Sequence, residues 1–175
     1  MDIKEQLLLT HSKANNLIIC NWIGDDIGRF AELMKIFLGN ERVLVQRAAW
    51  SVSELGIKYP HLIPPYLDAM IAAVEAALHA AVQRNILKLL AEKQIQMNED
   101  QQGRLLNTAF DLLADPLIPV AIRVHAMQFI ANLCEDYPDL AVELKTLIED
   151  GMENGTAGFK SRGSRILKRF CPGTT

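Results

Sequence analysis

A chain of 175 residues, half of them hydrophobic and 22% charged, has enough apolar material to fold around a core and too much to stay disordered. Its formal net charge of −3 disfavours a general nucleic-acid binder, which carries a basic surplus. The charge is uneven: Lys160, Arg162, Arg165, Lys168 and Arg169 place five cations and no acid in residues 160–171, and taking those five away leaves 13 Lys plus Arg against 21 acids, a net of −8.

The first stretch, MDIKEQLLLTHSK, is acidic at its second residue and too short in its apolar run for a secretory signal. KANNLIICNWIG, ending at Gly24, reads as a helix. DDIGRFAELMKIFLG sets Ile27, Phe30, Leu33, Met34 and Phe37 on one stripe, with Asp25 or Asp26 as N-cap and Gly39 as a stop. VQRAAWSVSELG, from Val45, is the next helix. At YPHLIPPYLDAMIAAV the Tyr59-Pro60 pair predicts a corner between helices, and Pro64 and Pro65 delay the regular helix beyond it. The apolar tract that follows is broken by Glu75 and His79, short of the roughly 20 apolar residues of a membrane span.

VQRNILKLLAE from Val82, NEDQQGRLLNTAFDLLADP, and IRVHAMQFIANL from Ile122 continue the helical pattern, and YPDLAVELKTLIED repeats Tyr-Pro-x-Leu at Tyr137. ENGTAGFKSRGS is rich in glycine and small polar residues, and a basic helix runs on from Phe159. No segment alternates with period two between hairpin turns, so the chain reads as all-α.

The anchors Val45, Val82 and Ile122 are 37 and 40 residues apart, and another 37 reaches Phe159. Such periods mark stacked helix pairs, each unable to bury its apolar face alone. The pattern Val-polar-x-x-Ala followed by apolar residues and Leu-Gly, clearest in VQRAAWSVSELG, resembles the HEAT repeat. The resemblance covers roughly residues 12–170. It implies a single right-handed α-solenoid of four to five pairs, with repeats near 1–38, 39–77, 78–114 and 115–153 and a capping helix at 157–171. It implies no activity, and a concave surface of inner helices used to bind proteins. Of the family's Asp/Arg ladder only Arg123 is present, the equivalent positions being Gln46 and Gln83.

A helical wheel puts Val45, Ala48, Ala49, Val52, Leu55 and Gly56 on one side of the second inner helix and Arg47, Trp50 and Glu54 on the other. Leu87 and Met127 match Trp50 in later repeats, with Leu17 or Ile18 in the first. One reading is a groove for a protein or peptide segment, anchored by Trp50, Leu87 and Met127 and made selective by Arg47, Arg84 and Arg123. The other is that these helices are apolar on two sides because both are packed. The basic helix is similarly double: a polar cap on the last repeat, or a patch for an acidic partner or a second copy of the chain, which would make a homo-oligomer.

His11, His61, His79 and His125 are scattered, without HxxxH, CxxC or the His-Glu pairs of iron-binding HEAT-like hydroxylases, so no metal or other cofactor is expected. Three cysteines, Cys20, Cys134 and Cys171, without paired spacing suit the reducing cytoplasm; the first two read as small core residues and Cys171 as an exposed thiol. His125 reads as a hydrogen-bonded core histidine. The enzymatic alternative is a HEAT-like alkylated-base DNA glycosylase, since Trp50 and Glu54, like Trp22 and Asp26, share a helix face. An acidic body lacks the phosphate contacts that dominate duplex affinity, which sets nucleic acid behind protein as the partner.

Overall fold

The structure, a computed structural model, describes residues 1–77 and 79–170, all of whose regular elements are helical. Cys171, singled out above as an exposed thiol, lies outside the described residues, as does the end of the expected capping helix. The chain divides into two compact units, residues 1–101 and 102–175.

The first unit holds α1 (Ile3–Leu9), α2 (Lys13–Ile23), α3 (Ile27–Phe37), α4 (Arg42–Lys58), α5 (Leu67–Glu75) and α6 (Ala80–Glu92). Each start has a local cause. Asp2, Ser12 and Asp26 accept hydrogen bonds from Glu5 N, Asn15 N and Arg29 N at 3.0, 3.2 and 2.9 Å, satisfying first-turn donors that have no partner inside the helix. Helix α2 stops at Gly24, whose φ of 56° is left-handed and suits a residue without a Cβ. Helix α4 ends at the Tyr59-Pro60 corner, where two 3₁₀ turns, Pro60–Leu62 and Pro64–Tyr66, delay α5 as the prolines predict.

Helix α4 is the centre of this unit, packed against α1, α2, α3 and α6. The α3 stripe is buried at Phe30, Leu33, Met34 and Phe37, but Ile27 in its first turn is 72% exposed. Each such burial contributes about 1.5–3 kcal/mol. Gly56 lies inside α4, and a Cβ there would come within 2.7 Å of Ile63 Cδ1 and 2.9 Å of Leu89 Cδ2, so it lets α4 and α6 approach closely.

Helix α7 (Glu99–Ala114) spans the division between the units. Its start is a reciprocal box: Gln101 N donates to Asn98 Oδ1 at 2.8 Å and Asn98 N to Gln101 Oε1 at 3.0 Å. In the second unit α8 (Val120–Leu133) packs on α9 (Leu140–Asn154) and α10 (Ala157–Phe170), and α9 packs on α10. Of the glycines of ENGTAGFKSRGS, Gly155 ends α9, while Gly158 and Gly163 lie within α10. Gly151 and Gly163 sit inside α9 and α10, at close approaches to Phe159 and to Ile148. Within each unit, successive helices pack as in a solenoid of helix pairs.

Candidate partner-binding surface

The stripe the wheel gives, Val45, Ala48, Ala49, Val52, Leu55 and Gly56, is buried, and the buried arc of α4 is wider, taking in Leu44, Ser51 and Ser53; Glu54 is exposed, and Arg47 and Trp50 are half-buried. Trp50 is held from two directions, by Glu54 and by His11. Its Nε1 donates to Glu54 Oε1, one turn on, at 3.3 Å. Lys88 of α6 donates to the same oxygen at 3.0 Å. His11, at the α1–α2 corner, stands edge-on to the indole with ring centroids 5.9 Å apart. An exposed ion pair adds little stability, about 1 kcal/mol at most. Its local consequence is a fixed indole. Neither His11 nor Lys88 was marked by the periodicity, because His11 reaches Trp50, and Lys88 reaches Glu54, from another helix or corner.

The other proposed anchors lie elsewhere. Leu87 and Met127 are completely buried, which removes them from any open row with Trp50. The apolar arc of α6 takes in Val82, Ile86, Leu87, Leu89, Leu90 and Ala91, more than one side of the helix, and solvent meets Arg84 and Lys88 instead. Met127 shares a similarly wide buried arc with Ile122, Ala126, Phe129 and Ile130. On α2, by contrast, Leu17 and Ile18 are 57% and 52% exposed.

The three arginines differ as well. Arg84 is exposed, with no partner among the described residues. Arg47 is tied inward, its Nη1 donating to Leu7 O at 2.8 Å and so anchoring the end of α1. Arg123, in the second unit, donates from Nε to Leu113 O at 3.0 Å and stacks 4.5 Å from the Phe159 ring centre. Burial lowers its pKa from the ordinary value, against the opposing charge of Asp115.

The basic helix α10 buries Phe159, Gly163 and Ile166. Three of its five cations are engaged within the unit: Arg162 Nη1 donates to Gln128 Oε1 at 2.6 Å, Arg169 pairs with Glu135, and the third is Lys160. Lys160 reaches Glu153 O at 3.3 Å, leaving Arg165 and Lys168 exposed without partners among the described residues.

The residues of the enzymatic alternative are committed locally. The recess between His11, Arg47 and Trp50 measures about 10 Å³, room for a water and not for a base. Asp26 caps α3 and lies 3.8 Å from Arg29, which stacks over Trp22 at 4.5 Å. Among the described residues no group of His, Cys, Asp and Glu is arranged to hold a metal, and no helix is long and apolar enough to cross a membrane. His125 is half-buried, less deep than the core position expected. Cys134 is buried and its pKa is raised by burial. Cys20 is half-buried, and burial together with the Glu54 charge pushes it up to about 11. Both are neutral thiols near pH 7.

The model of the HEAT repeat domain matches residues 3–170, nearly the whole chain. The chain belongs to the HEAT repeat family. Neither the curated proteins nor the solved structures hold a match to it. HEAT repeats typically mediate protein interactions and are generally non-catalytic, which fits helices whose polar side chains are spent on caps and carbonyls.

Proposed function

We propose that this HEAT repeat chain is a non-catalytic interaction module of the cytoplasm, one array of repeats that holds a partner protein segment against the exposed arc of α4 and α6. Trp50 is the apolar anchor, and Glu54, Arg84 and Lys88 surround it. The observation that carries this reading is the fixed indole, bonded to Glu54 at 3.3 Å and met edge-on by His11. A half-exposed aromatic already held in one rotamer loses little entropy on binding and is the residue type that dominates interface energies. The arc has too few unpaired cations to follow a nucleic-acid backbone.

The test compares proteins retained from a lysate of the source by the wild type and by Trp50→Ala/Arg84→Glu, with both proteins shown to be folded by circular dichroism. A partner held by the first and lost by the second, with modest sensitivity to salt, supports the reading. A partner list unchanged by the substitutions overturns it. Steep loss of binding with added salt points to nucleic acid.

A further inference from the structure

The second unit carries a groove of about 530 Å³ where the α7–α8 corner, the end of α9 and the start of α10 meet. Its walls combine the apolar side chains Ile118, Val120 and Leu147 with the polar Asn154 and Thr156, over the buried ring of Phe159. A volume of this order accommodates several side chains. One cation stands in it, Arg123, fixed by its Nε bond to Leu113 O at 3.0 Å and by its stack on Phe159 at 4.5 Å.

The bond to Leu113 O does not require an arginine. In the first unit Gln83, at the same register, makes the equivalent bond to Val74 O at 3.0 Å with a neutral amide. Arg123 therefore brings a charge, which Asp115 meets only at longer range, and an Nη pair beyond what the helix end uses; that pair has no hydrogen-bond acceptor among the described residues. The Nη edge of a guanidinium matches the two oxygens of a carboxylate. With the side chain already immobilised and apolar walls lowering the local dielectric, such a pairing is stronger than it would be on an open surface. The acid in the lining, Asp150, is exposed on α9 and lies outside any ion pair among the described residues, so it opposes an incoming anion without occupying Arg123.

We propose that this groove binds a peptide segment in which an acidic residue is flanked by apolar side chains, the carboxylate meeting the Nη pair of Arg123 and the neighbours covering Ile118, Val120 and Leu147. The site lies entirely within residues 102–170 and stands independently of the Trp50 surface. Either can fail alone.

The experiment is an NMR titration of the full chain with an acetylated, amidated pentapeptide carrying a central glutamate between two leucines, and with its glutamine counterpart. Backbone amides of Gly151 and Phe159 report on the groove. The glutamate peptide should bind at least about tenfold more tightly than the glutamine one. Arg123→Gln keeps a donor for Leu113 O, as Gln83 does at Val74, and should abolish that preference while the chain stays folded. Asp150→Asn, on an exposed face, should tighten glutamate binding about two- to fivefold. Equal binding of the two peptides, a preference that survives Arg123→Gln, or no groove shifts at millimolar peptide would each overturn the proposal. Should Arg123→Gln fail to fold, the Asp150→Asn comparison decides.

Discussion

Gln83 and Arg123 stand forty residues apart and make the same bond, each donating a side-chain N–H to a carbonyl one residue before the end of the preceding helix, Val74 O and Leu113 O, both at 3.0 Å. The last carbonyls of a helix have no donor within it, and when buried they need one from elsewhere. Val74 O also accepts from Ala77 N at 3.3 Å, so Gln83→Leu, which keeps the volume and removes the side-chain donor, should destabilise the chain by about 0.5–1.5 kcal/mol. Gln46, third in the register, is exposed and makes no such bond, so Gln46→Ala should stay within about 0.5 kcal/mol of wild type. Urea denaturation of the two variants checks both values.

That register shows where the sequence was readable. The stripes of α3 and α4, the Tyr-Pro corners and the repeat spacing all depend on which residues share a face, and periodicity reports this directly. Exposure is a different quantity. Leu87 is related to Trp50 by the repeat, but whether an apolar residue meets solvent depends on how wide the packed arc of its helix is, and α6 and α8 are buried over more than one side. His11 is 39 residues from the Trp50 it faces and Lys88 is 34 from the Glu54 it bonds, so neither leaves a local trace. The exchange of arginine for glutamine between Gln83 and Arg123 was visible as a departure from the family pattern. Its meaning needed the carbonyls.

Helix α1 has seven residues, too few to persist without tertiary support. Asn15 supplies much of that support. It is buried, donates from Nδ2 to both Gln6 O and Thr10 O at 2.8 Å, and accepts from Gln6 Nε2 at 2.5 Å. Asn15→Ala leaves those carbonyls short of a donor and should cost about 1–3 kcal/mol. The loss should be local first. Hydrogen exchange in residues 3–9 should quicken before that of α4, and equal protection of α1 in variant and wild type would remove Asn15 from this role.

Cys20 gives a pH prediction with a definite sign. Its pKa is pushed up to about 11 by burial first and by the Glu54 charge second, so the folded chain holds the thiol proton more tightly than the unfolded chain does. Stability from this group is therefore level below about pH 9 and declines as pH rises from there toward 11. In a Cys134→Ser/Cys171→Ser background Cys20 is the one thiol left. At pH 8 iodoacetamide should alkylate it at least about tenfold more slowly in the folded chain than in urea, because the thiolate is the reacting species. Glu54→Gln should quicken the folded reaction, since it removes the charge that disfavours the thiolate.

Gly151 is fixed by the ring it faces. A Cβ there would lie 2.5 Å from Phe159 Cζ and 2.7 Å from Cε1, with Arg123 Nη2 at 3.4 Å, and Phe159 is fully buried. An aromatic ring cannot bend away as the end of a leucine can, so α9 and α10 must separate or the ring must leave its rotamer. Overpacking of this kind costs about 1–3 kcal/mol, against a gain of up to about 1 kcal/mol from replacing glycine inside a helix. Gly151→Ala should therefore be destabilising on balance, opposite in sign to the helix-propensity expectation. Phe159→Leu trims the ring atoms in question, and its own cavity cost is partly filled by the new methyl. The double variant should be less destabilised than the sum of the two single changes by about 0.5–3 kcal/mol, the range of residues in contact. Urea denaturation of all four proteins measures that coupling, and strict additivity would mean that the ring does not set the glycine.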